Sequence, residues 1–146
     1  MTRQETEADA ATLAFMNKAT EGFLPALVGL RIVAAGAAFV EAEIAIERHH
    51  MAPNGFLHAG TVITLADSAC GIGCVRALPE GASGFTTVEL KSNFLGTARD
   101  GVIYTIARAV HLGRTTQLWD AEVKHRGTGK TLAHFRCTQL VLWPSG

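Results

Sequence analysis

Between Val40 and Glu47 apolar and acidic residues alternate: Val40, Ala42, Ile44 and Ile46 against Glu41, Glu43 and Glu47. A period of two with acids on one side predicts a strand with one buried face and one wet face. The strand is read as Ala38 to Glu47. It follows a strand over Leu30 to Ala34 and a turn at Gly36. Residues 60–77 behave differently. Val62, Ile63, Leu65, Ala66, Ala69, Cys70, Ile72 and Val75 leave almost no polar side. That predicts a helix from Gly60 to about Ala77, buried on most of its circumference and ended by Pro79 and Gly81. Upstream, Leu13, Met16 and Ala19 recur on one face, with Phe15 nearby. They predict an N-terminal helix over about 6–22, stopped by Gly22.

The stretch His49 to Leu57 carries a Pro53–Asn54–Gly55 turn signal and reads as a loop. Four more strands are predicted: Thr86–Leu95, Val102–His111, Thr115–Lys124 and Thr131–Trp143. Their links, Gly96–Gly101, Leu112–Arg114 and His125–Lys130, are short and polar, which favours antiparallel neighbours. One all-apolar helix and a long antiparallel sheet have one natural arrangement: an α+β fold in which the sheet wraps the helix.

The 146 residues fit one domain, 1–146. Lys+Arg and Asp+Glu both count 13, so no basic excess points to nucleic acid. No apolar run is long enough to cross a membrane, and the polar start MTRQETEADA does not read as a signal peptide, so a cytoplasmic protein is expected. The three cysteines, Cys70, Cys74 and Cys137, are too few for a disulfide framework and read as buried thiols; no metal-ligand spacing is found.

Asp67 is the one carboxylate in the apolar helix. Such a group is costly unless it is paired or functional. It serves either in a structural role, capping a neighbouring loop or pairing with Arg76 or Lys91, or as a catalytic acid–base group. His58 precedes the helix, nine residues before Asp67. It reads either as a cap or as part of an anion site, since a helix start offers free N–H groups and the positive dipole end. At 1.5 Å per residue, Asp67 lies roughly 10 Å along the axis from Gly60. If both ends act on one carbonyl, they come from two subunits.

The segment PNGFLHAGTVITLADSACG, Pro53 to Gly71, resembles the signature of hotdog-fold thioesterases. The similarity is to the PaaI-like (phenylacetic acid degradation) and 4-hydroxybenzoyl-CoA thioesterase branch. That pattern has an Asn, a Pro/Gly loop, His-Gly-Gly, and an acid nine residues after the His. TTVELKSNFLGTAR (Thr86–Arg99) and VHLGRTTQLWDAEV (Val110–Val123) also match its strands. The likeness covers about residues 20–142.

The resemblance implies hydrolysis of aryl- or medium-chain acyl-CoA thioesters. It implies a homodimer with active sites at its interface, pairing into a homotetramer. Asp67 would attack the thioester or activate water. The Ala59 N–H, with Gly60 beside it, would polarise the carbonyl, and Thr87 would orient water or the carboxylate. Phe56 and Leu57 would line the acyl pocket near the N-terminal helix. Lys91 and Arg114, with Arg99 and Lys124 behind them, would meet the coenzyme A phosphates. No cofactor is implied beyond the coenzyme A of the substrate. Two positions depart from the pattern. Ala59 replaces the first glycine, and Ala52 replaces the Asn six residues before the His. Asn54 either substitutes for that Asn or serves the Asn-Gly turn. A hydratase or dehydratase on the same fold, a non-catalytic acyl-CoA binder and a ligand-free structural domain are the alternatives.

Overall fold

The apolar helix runs from Ala59 to Arg76 (α3), and a six-stranded antiparallel sheet curls around it. This is a computed structural model that describes residues 7–145. The strands are β1 (Arg31–Ala35), β2 (Phe39–Ala45), β3 (Gly84–Phe94), β4 (Val102–Leu112), β5 (Thr116–His125) and β6 (Thr131–Leu142). They lie in the order β1-β2-β4-β5-β6-β3. The α+β reading therefore holds, with the helix as the filling of the sheet.

One neighbour relation differs from the sequence expectation. The short Gly96–Gly101 link predicts that β3 pairs with β4, yet β3 pairs with β6 at the far edge. The reason is geometric. Three strand spacings amount to about 14 Å, and a chain gains about 3.3 Å per extended residue. Six residues therefore suffice to pass beneath β6 and β5. Three steps through an antiparallel sheet also leave β3 and β4 running in opposite senses, so direction alone does not reveal the crossover.

The N-terminal expectation of one helix over 6–22 is also corrected; residue 6 itself lies outside the described residues. The helix is α1, Ala10–Lys18, and a separate turn of helix follows, α2, Leu24–Leu27. Asp9 caps α1 by accepting the Thr12 N–H at 2.8 Å. Gly22, at φ +82°, breaks the path between the two helices. Asn17 fixes α1 to the sheet: its amide accepts the Ile32 N–H at 2.8 Å and donates to the Ile32 carbonyl at 2.9 Å. One side chain thus satisfies both backbone groups of a β1 residue.

The core lies between α3 and the inward face of the sheet. Val40, Ala42 and Ile44 of β2 are fully buried, so the acids between them face outward as the alternation predicts. Trp119 of β5 packs against the helix at Gly73. A Cβ at Gly73 would stand 2.6 Å from the indole ring, so only glycine admits this approach. Among the described residues, no helix is long and apolar enough to cross a membrane.

Candidate active site

Buried His50 organises the start of α3. Its Nε2 donates to the Val28 carbonyl at 2.8 Å and its Nδ1 accepts the Glu47 N–H at 2.9 Å. Its own carbonyl accepts the His58 N–H at 3.1 Å and the Thr61 hydroxyl at 2.9 Å. One residue therefore ties α2, the loop and the first turn of α3 together.

His58 is the N-cap of α3, and its Nδ1 accepts the Gly60 N–H at 2.7 Å. Its carbonyl takes the Thr61 N–H at 3.0 Å. Among the described residues, the Ala59 N–H meets no protein acceptor and lies on the exposed surface. A helix start with a free N–H and the positive dipole end is suited to a carbonyl oxygen gaining negative charge. No non-glycine among the described residues has positive φ, so Ala59 sits in ordinary helical backbone and alanine in place of glycine costs nothing there. Asn54 serves the turn: its Oδ1 accepts the Phe56 N–H at 3.2 Å, and Gly55 follows at φ +85°.

Asp67 is half-buried on the face of α3 that turns toward β3. Ile63 and Gly71 flank it on this face at i±4. A β-bulge at Val88 lets both Thr87 and Leu90 face inward, since Thr87 pairs with Gln139 and Leu90 with Cys137. The Thr87 hydroxyl is 3.5 Å from Asp67 Oδ1 and 2.8 Å from Gln139 Oε1. Burial pushes the Asp67 carboxyl above its ordinary value. Asp67 forms no ion pair among the described residues. Arg76 instead donates to the Gly36 carbonyl, and Lys91 lies on the outer face of β3 beside Arg136. The two cations that the sequence offered as partners for Asp67 thus lie elsewhere.

An open groove of ≈ 580 Å³ borders the helix start, lined by Phe56, Leu57, His58, Ala59, Phe94 and Lys130 among others. Arg99 lies 5.5 Å above the Phe56 ring. Phe56, Leu57, His58 and Ala59 are therefore brought together, while Asp67 sits further along the helix with Thr87 of β3 beside it. Ala59 to Asp67 is eight residues, or about 12 Å of rise. Arg114 stacks 4.3 Å over Trp143, near the C-terminal end of α3, where Gln117 donates to the Ala77 carbonyl. Lys124 pairs with Glu122 on the outer sheet face. Lys91, Arg114 and Lys124 thus stand apart from the helix start within one chain. Gln139 and Lys130 were not singled out from sequence. A polar residue at the inward parity of an otherwise apolar strand is the signal that marks Gln139; Lys130, in a link, carries none.

Residues 54–132, more than half of the chain, match the family model of the thioesterase superfamily. Over 116 residues the chain is 32% identical to a 1,4-dihydroxy-2-naphthoyl-CoA hydrolase of Listeria monocytogenes, covering 78% of this chain and 91% of that protein. A mutant thioesterase from Pseudomonas aeruginosa superposes with a TM-score of 0.85 at 28% identity, covering 92% of this chain and 96% of the other. The E. coli PaaI protein from the phenylacetic acid degradation operon gives a TM-score of 0.76 at 20% identity, covering 92% of each chain, a likeness of fold. The helix wrapped by an antiparallel sheet is the hotdog fold of thioesterases. The chain belongs to the thioesterase superfamily and is a thioester hydrolase.

Proposed function

We propose that the protein hydrolyses aromatic or medium-chain acyl-CoA thioesters, with Asp67 as general base. The observation that carries this reading is a half-buried carboxylate, raised in pKa by burial and free of ion pairs, on a helix whose start offers an open N–H donor. A base works best when its pKa approaches the operating pH, so the upward push favours water activation. Asp67 takes a proton from water as the water oxygen attacks the thioester carbon. The carbonyl oxygen gains charge against the Ala59 N–H and the positive end of α3. Collapse breaks the C–S bond, and the proton passes from Asp67 to the leaving coenzyme A sulfur. Only water and the chain's own groups act here; coenzyme A enters as part of the substrate.

The separation of Asp67 and Ala59 along one helix favours an active site shared by two subunits. β3 supports the same reading. It is an edge strand with an unpaired side, and Val88 and Phe94 on it are 56% and 47% exposed. A long unpaired edge that carries exposed apolar side chains calls for a partner strand, and a second copy of β3 supplies one. Dimers then pair into a tetramer through the charged outer sheet face. Lys130 lines the groove and Arg99 lies over its Phe56 ring, and both would meet the coenzyme A phosphates; Lys91 and Arg114 would reach substrate only from a neighbouring subunit. Phe56 and Phe94 favour an aromatic acyl group, in keeping with the substrate that names the Listeria relative. The whole chain would act as one domain. Three free, buried cysteines fit a reducing cytoplasm.

The test is release of free thiol from 1,4-dihydroxy-2-naphthoyl-, benzoyl-, phenylacetyl- and octanoyl-CoA. Turnover of at least one, lost by orders of magnitude in a folded Asp67→Asn variant, supports the reading. Full activity in Asp67→Asn contradicts it.

A further inference from the structure

Gln139 is an amide with no exposed surface, inside an otherwise apolar part of β6. Its Nε2 donates to Cys137 Sγ at 3.3 Å, which turns its Oε1 toward Thr87. An amide oxygen has no proton to give, so the 2.8 Å contact requires the Thr87 hydroxyl to donate. That hydroxyl has one proton. Once it points at Gln139, Thr87 meets Asp67 Oδ1, 3.5 Å away, with an oxygen lone pair.

We propose that Gln139 is a positioning residue: by taking the Thr87 proton, it makes Thr87 an acceptor toward Asp67. An acceptor there favours the carboxyl at the moment it has received a proton from water, because only the protonated acid has a hydrogen to offer. Facing the ionised carboxylate, the same lone pair is mildly repulsive. Gln139 therefore biases Asp67 toward its role as base without touching substrate. This rests on the assignment of Asp67 as the catalytic carboxylate.

Few other groups compete for this control. From β6 the titratable group that faces α3 is the Cys137 thiol; β2, β4 and β5 send apolar residues, Thr105 and Gln117 inward, and β3 sends Thr87. α2, the sequence LPAL, carries no charge. On α3 itself, Cys70 is held well above the ordinary thiol range by its contact with Cys137, and burial raises Cys74 to about 11. Both stay neutral across the working range. The strand carboxylates and cations, such as Asp120 with Arg136, pair on the outer face.

The experiment follows kcat/KM against pH for the intact full-length protein, with benzoyl-CoA or whichever panel thioester turns over best. Gln139→Met keeps the volume but removes the acceptor, so the Thr87 proton turns to Asp67. The acid limb should move to lower pH by about half a unit or more, as a hydrogen bond to a carboxylate does. Cys137→Ala frees the amide to rotate and should move the limb in the same direction. Both shifts should vanish in a Thr87→Val background, since they act through that hydroxyl. An unmoved limb in both folded variants, or an equal shift with and without Thr87, overturns the proposal. Asp67→Asn separates the two levels. If it keeps turnover, the Asp67 reading fails. If it loses turnover while the limb of the Gln139 variant stays fixed, only the role of Gln139 fails.

Discussion

His58 Nδ1 accepts the Gly60 N–H at 2.7 Å, and this short contact decides which donor the site has left. The ring nitrogen that faces the helix is an acceptor, so His58 acts here as a cap. It occupies the Gly60 N–H and leaves the Ala59 N–H open. The departure at Ala59 from the His-Gly-Gly pattern is harmless because the donor is backbone.

That assignment yields a clean substitution. Ala59 is the first residue of α3, where proline is tolerated because no intrahelical bond is lost. His58, at φ −65° and ψ 133°, already has the extended backbone that a following proline demands. Ala59→Pro should therefore fold normally by circular dichroism while kcat falls about 10²–10³-fold, the loss expected for one oxyanion donor. Ala59→Gly should keep its activity.

The Asp67 carboxyl predicts opposite effects on activity and stability. Its folded pKa is raised above the ordinary value of 3.8, with burial as the main cause. The folded chain thus holds its proton more tightly than the unfolded chain, and the fold loses stability as pH rises from the unfolded pKa through the folded one. Asp67→Asn removes this penalty. The variant should melt above wild type at pH 7, and the difference should shrink below about pH 4, where both forms are protonated. Thermal melts at the two pH values check it. The acid limb of wild-type kcat/KM should likewise lie above the ordinary Asp value of 3.8.

Gly73→Ala tests the core that holds the helix. The added methyl would press on the Trp119 ring at 2.6 Å. Alanine's better helix propensity offsets about 1 kcal/mol, but overpacking against a rigid ring costs about 1–3 kcal/mol or more. Urea unfolding should show a net loss of up to about 2 kcal/mol. The activity of the folded fraction should survive.

Periodicity made most of this fold legible. Alternation marked β2, and the absence of polar sides marked α3 to within a residue of its observed ends. The pairing of β3 was not legible, because a link of six residues serves either a hairpin or a crossover. Gly22 looked like a helix stop, but its left-handed backbone redirects the chain into α2. Asp67 and His58 were visible from their spacing, and Thr87 from the strand match. Gln139 shows in sequence only as a polar residue at an inward position; its contact with Thr87 depends on a β6–β3 register shifted at the Val88 bulge, which no local pattern encodes. The basic residues were placed least well. Nothing in a one-dimensional reading tells that Lys91 faces outward while Lys130 borders the groove.

The central claim is that Asp67 of one subunit and the Ala59 N–H of another serve the same carbonyl. Mixing inactive Asp67→Asn with inactive Ala59→Pro, under conditions of proven subunit exchange, tests it directly. A mixed dimer then holds one doubly damaged site and one intact site. Random pairing makes half the dimers mixed, so activity should recover to about a quarter of wild type. No recovery despite exchange would place both groups in one chain's site and contradict the claim.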